Sequence, residues 1–156
     1  MMKQAIMSLL LFLIDGLVEK CIGQTSPSES VGRVGVVSTY AELTYQIVNG
    51  DTTYTLEYYH GQKLGGLATD RRKFSFPAEG NALNEFYFKL KSFFTDENRK
   101  NKKYTMDFKL GKERVTLKHY SLPMKLSVNV IFNNGSFALT EKQVDKLFGK
   151  AKTLEE

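Results

Sequence analysis

The feature that most limits how this chain can fold is a polar/apolar alternation of period two. It recurs along the sequence and is punctuated by turn dipeptides. In AELTYQIV, Ala41, Leu43, Tyr45 and Ile47 alternate with Glu42, Thr44 and Gln46. TYTLEYYH repeats the pattern after Asn49-Gly50. One apolar and one polar face is the mark of a half-buried strand, and Asn-Gly is a strong hairpin signal. For this first hairpin the favoured reading is a four-residue loop at 49–52. It sets Leu43 against Tyr58 and Tyr45 against Leu56, and avoids the Glu42–Glu57 pairing of a two-residue loop, because like charges directly opposite repel.

The last third reads the same way. YTMDFKL alternates Tyr104, Met106, Phe108 and Leu110 with Thr105, Asp107 and Lys109. A Gly111-Lys112 turn would pair Phe108 with Val115 and Met106 with Leu117. In MKLSVNVIF, Met124, Leu126, Val128, Val130 and Phe132 share a face, and Asn134-Gly135 would set Phe132 against Phe137 and Val130 against Leu139. Between these blocks, KFSF is a short strand ended by Pro77. AEGNALNEFYFKLKSFF places Leu83, Phe86, Leu90, Phe93 and Phe94 on one helical stripe. TDENRKNKK follows as an exposed charged loop. Thr140 with Gln143 reads as a capping box. A short helix then runs to Phe148 and stops at Gly149, burying Val144, Leu147 and Phe148. The expected fold is α+β: one antiparallel sheet of about six to seven strands, one long helix packed on one face, and a short C-terminal helix.

The N-terminal segment bears on compartment. Residues 5–14, AIMSLLLFLI, are almost wholly apolar, but Asp15, Glu19 and Lys20 follow closely. The run is about half the length a spanning helix needs. Lys3, the apolar run and small residues before Gln24 fit a secretory signal peptide, residues 1–23. Residues 24–33 read as a flexible lead-in and 34–150 as a single α+β domain. One alternative is a membrane anchor through the N-terminal segment, and another is an amphipathic helix retained on the domain. Lipidation at Cys21 is disfavoured by Lys20, where a small residue would be needed. Cys21 is the only cysteine, so a chain cleaved before Gln24 has no thiol for a disulfide, a metal or nucleophilic catalysis.

His60 and His119 are the only histidines and lack ligand spacing, so no metal and no cofactor are expected. Gly61-Gln62-Lys63-Leu64-Gly65-Gly66 lacks the Lys-Ser/Thr of a phosphate loop. It reads as part of a long connection over 61–72. Neither G-x-S-x-G nor H-E-x-x-H is present. The net charge of +5 favours anionic partners. The bases cluster at Lys63, at Arg71, Arg72 and Lys73, and at Arg99, Lys100, Lys102 and Lys103. These eight form the candidate contact surface. Interleaved exposed aromatics are lacking, so nucleic acid is not expected. The expected function is that of an exported, non-enzymatic protein binding a partner macromolecule, with an anionic glycan or lipid headgroup as the ligand class. The alternatives are a small hydrolase built on carboxylates such as Glu57, Glu85 and Asp107, and a membrane-anchored assembly component.

Three stretches, FYFKLKSFFTDENRKNKKY, FKLGKERVTL and FALTEKQVDKLFGK, resemble small exported proteins of unknown function from gram-negative bacteria. The resemblance covers residues 72–149. It implies export and a bacterial source, and carries no activity and no site residues.

Overall fold

The structure is a computed structural model. It describes residues 25–35, 40–60, 70–122 and 125–151. The signal-like segment with Cys21, and the 61–69 connection with Lys63, lie outside the described residues. Among those described, no helix is long and apolar enough to cross a membrane.

The strands form two antiparallel four-stranded sheets, each a simple meander. The first contains β1 (Glu29–Val34), β2 (Ala41–Val48), β3 (Asp51–Tyr59) and β4 (Arg71–Pro77). Two helices follow, α1 (Ala82–Ser92) and α2 (Asp96–Lys100). The second sheet contains β5 (Thr105–Leu110), β6 (Glu113–Leu122), β7 (Lys125–Phe132) and β8 (Gly135–Thr140). Helix α3 (Glu141–Leu147) closes the described order. The α+β class is as the alternation implies, but the single sheet of six to seven strands is replaced by two sheets. The physical reason is visible in the core. The apolar faces of both sheets meet each other instead of sharing one helix. The Phe74 and Phe132 rings lie 4.5 Å apart across the sheets, and Tyr58 and Phe137 lie 4.7 Å apart. Wide twisted sheets relieve their strain by splitting into packed layers.

Helix α1 inserts into this junction. Phe86 contacts Phe76 of the first sheet, Phe108 of the second and Phe148 after α3, with centroids 6.3, 6.0 and 5.5 Å away. Phe86, Leu90, Phe93 and Phe94 are buried as the stripe predicts, whereas Leu83 is half-buried. Each fully buried side chain of this size contributes about 1.5–3 kcal/mol relative to exposure. Lys91 then ties α1 to α3 through Glu141 at 2.8 Å and Asp145 at 3.1 Å.

Three local expectations are corrected. The β2–β3 loop has two residues, so Leu43 pairs with Leu56 and Tyr45 with Tyr54. Asn49 (φ 55) and Gly50 (φ 88) both take positive φ, which a tight primed turn demands. The cost of setting Glu42 opposite Glu57 is offset by cations: Arg33 lies opposite Glu42 in the β1–β2 register, and Arg71 and Lys73 each bind Glu57 at 2.8 Å. The β7–β8 turn is Asn133-Asn134, so Val130 pairs with Phe137 and Val128 with Leu139. Tertiary docking decides this: Asn134 Oδ1 accepts the Tyr58 hydroxyl at 2.9 Å, and His60 Nδ1 accepts the Ser136 N–H at 3.0 Å. Residues 24–33 are not a free lead-in where they are described. Ser26 N–H donates to the Ile47 carbonyl at 2.9 Å and β1 pairs along β2.

The TDEN stretch is also ordered, as α2. Thr95 Oγ1 accepts the Asn98 N–H, Asp96 and Glu97 fill the first turn, and Arg99 and Lys100 fill the last. Each charge sits at the favourable end of the helix. The capping box at α3 forms as expected, with Thr140 N–H donating to Gln143 Oε1 at 2.8 Å.

Candidate functional site: a cationic strip on the second sheet

The basic residues singled out by sequence divide by their pairing. Arg71 and Lys73 project from β4 onto Glu57, which is only 15% exposed. Arg71 also lies against the Tyr40 and Tyr59 rings, at 5.5 and 5.6 Å. Arg72 binds Asp70 at 2.7 Å and holds its carboxyl below the ordinary range. This first cluster is therefore largely neutralised by its own neighbours. In the second cluster Arg99 binds Glu141 at 2.7 Å. Lys100, Lys102 and Lys103 are exposed, and none lies within 4 Å of a carboxylate among the described residues.

The structure extends this second cluster along the β5–β6 hairpin. In both strands the inward phase (Phe108, Val115, Leu117) builds the core. The outward phase carries Thr105, Asp107 and Lys109 on β5 and Arg114, Thr116, Lys118 and Tyr120 on β6. The register sets Lys109 opposite Arg114, and Lys118 opposite Thr105. These two cationic steps are four residues apart, about 13 Å along the strands. That exceeds the Debye length of about 8 Å at physiological salt, so their mutual repulsion is largely screened. Lys103 extends the strip at one end and Lys112 in the turn extends it at the other. All of these bases are exposed.

Residues 99–118 hold eight bases and two acids, a net of +6, which exceeds the +5 of the whole chain. One of the two acids, Asp107, is engaged: its carboxylate accepts the Thr116 hydroxyl and faces Arg114 at 3.4 Å. The Thr116 hydrogen bond, then the charges of Arg114 and Lys118, hold its pKa below the ordinary value. The other, Glu113, accepts from Asn133 Nδ2 at 2.9 Å. Sequence reading missed Lys109, Lys112, Arg114, Lys118 and Tyr120 because they are scattered at alternate positions instead of forming a run. The signal that finds them is the polar phase of the predicted hairpin, read for charge.

The carboxylates of the hydrolase reading are not gathered. Glu57 binds two cations on the first sheet, Glu85 faces Lys89 on α1, and Asp107 lies on β5. The carboxyls displaced from their ordinary range, Asp70 and Asp107, move down, the opposite of what a general acid requires. His60 and His119 are half-buried in separate places, the first against Ser136 and the second against the Asn98 carbonyl at 2.9 Å. Among the described residues no group of three or more His, Cys, Asp or Glu is arranged to hold a metal ion. No protein-family model, no curated protein and no solved structure matches the chain.

Proposed function

We propose that this is an exported, non-enzymatic protein that binds an anionic polysaccharide along the outer face of β5 and β6. The observation that carries the reading is the concentration of charge: a net of +6 within residues 99–118, with six exposed lysines on a hairpin and its flanking turns, none within 4 Å of a carboxylate among the described residues. The shape favours a linear polymer. From Lys103 to Lys112 the strip is about 30 Å long and two strands, about 5 Å, wide. Tyr120, exposed in line with Lys118 and Arg114, offers a ring for a sugar face. Counterion release on contact makes such binding favourable and steeply salt-dependent. Export rests on the signal-like pattern of residues 1–23, and the resemblance of residues 72–149 points the same way.

Retention on immobilised dextran sulfate, compared with neutral dextran, tests the ligand class. The proposal expects retention on the first only, with elution by moderate salt. Equal behaviour on both matrices contradicts it, and capture by anionic vesicles but not by dextran sulfate favours a lipid headgroup instead. Intact mass of the protein recovered by cell fraction tests export. A chain beginning at Gln24 outside the cytoplasm is expected, and a full-length chain in the membrane fraction overturns that part of the proposal.

A further inference from the structure

A separate cleft of about 230 Å³ lies where the end of β4, the start of α1 and the β5–β6 turn converge. Its volume is below the roughly 300–1,000 Å³ of pockets for drug-sized ligands, so it suits a smaller molecule. Phe86, which is buried, and Phe108, which is half-buried, contribute an aromatic lining. Two acids, Glu79 and Glu85, and two bases, Lys89 and Lys109, border it. Gly111 closes against β4 so tightly that a Cβ there would lie 3.1 Å from Pro77 Cδ.

Two geometric facts indicate the ligand chemistry. Lys89 Nζ sits 5.4 Å from the centroid of Phe108, so this ring face already accommodates a cation. The Lys89–Glu85 pair is long at 3.9 Å, against 2.8 Å for Lys73–Glu57 and Lys91–Glu141. A pair held this far apart is not hydrogen-bonded and leaves both groups free to take other partners. A ligand with one charge would satisfy one set of walls and meet like charge from the other, a repulsive element that selects against it.

We propose that this cleft binds a small zwitterion of the phosphocholine type. Its quaternary ammonium takes the place of Lys89 Nζ over the Phe108 ring, on the side of Glu79 and Glu85, and the displaced Lys89 pairs with its acid group. Such a group can come from a free metabolite or from a lipid headgroup. The proposal is independent of the polysaccharide strip, although Lys109 borders both, so the test uses the carboxylates.

Calorimetric titration of the full chain with phosphocholine, choline and inorganic phosphate, each alone, tests it. Saturable binding of phosphocholine, tighter than either fragment, is expected. Glu79→Gln with Glu85→Gln is expected to weaken phosphocholine binding about tenfold or more, with an unchanged melting temperature and unchanged dextran sulfate retention. Absence of saturable binding, phosphate binding as tightly as phosphocholine, or an unaffected double variant would each overturn the proposal. Phosphatidylcholine vesicles then identify the source. Capture of the protein supports a lipid headgroup, and binding of the free compound without capture supports a soluble zwitterion.

Discussion

Tyr58 is fully buried at the end of β3, and its hydroxyl donates to Asn134 on the far side of the core. Burial pushes its pKa from 10.0 up to about 12. The neutral phenol is thus favoured by the folded state. The stability it contributes is complete below pH 10 and is lost as pH rises from 10 toward 12. Tyr40, also raised to about 12 by burial and by its bond to Glu42, adds to the same limb. Tyr58→Phe is expected to cost about 1 kcal/mol at neutral pH. It should also flatten the fall in stability between pH 10 and 12 by on the order of 2 kcal/mol. Urea unfolding across that pH range measures both, and an unchanged alkaline limb would refute the assignment. The alternation alone puts Tyr58 on the apolar face. Its partner, 76 residues away, depends on how two sheets meet, and no local pattern encodes that. Gly135 shows the same limit. Its φ of +155 and the approach of His60 Nδ1, 2.8 Å from where a Cβ would stand, belong to the docking of a turn and not to the turn's own chemistry.

Among the elements, hairpins were legible where local turn chemistry met no competing contact. Gly111-Lys112 pairs Phe108 with Val115 and Met106 with Leu117, as the alternation predicts. The β7–β8 turn departs from expectation because Asn134 is recruited by Tyr58. Strand β1 was hidden because SESVGRV is short, polar and glycine-containing, yet Gly32 is what lets it dock. A Cβ at Gly32 would lie 2.3 Å from the Lys146 carbonyl oxygen and 2.6 Å from that of Leu147, both backbone atoms at the end of α3. Gly32→Ala is therefore expected to separate β1 from α3 and to destabilise by about 1–3 kcal/mol or more. Faster hydrogen exchange in β1 should accompany the loss, and a melting temperature unaltered by the substitution would contradict the packing described. Helix α3 depends on its cap. Thr140→Ala should cost about 1 kcal/mol, read from chemical denaturation, while leaving the strip and its ligand binding intact.

At the scale of the molecule, the α+β class and the order of β2 to β8 were legible in the sequence, but not β1 or the division into two sheets. That division follows from aromatic contacts across the core, such as Phe74 with Phe132, which only the assembled fold brings together. The candidate surface divides similarly. Arg71, Arg72 and Lys73 form a run that looks like an anion site, yet Glu57 and Asp70 neutralise it. Lys109 and Lys118 are isolated in sequence but share the outer face of one hairpin with Arg114. Binding to a polyanion should therefore discriminate between the two basic surfaces. The decisive measurement is the affinity for dextran sulfate as a function of salt for two variants, Lys103→Gln/Lys109→Gln/Lys118→Gln and Arg71→Gln/Lys73→Gln. The first is expected to lose about tenfold or more in affinity and roughly one unit of salt slope per lysine removed, and the second to bind as the parent does. Equal losses in both variants, or no loss in the first, would contradict a cationic strip on β5 and β6.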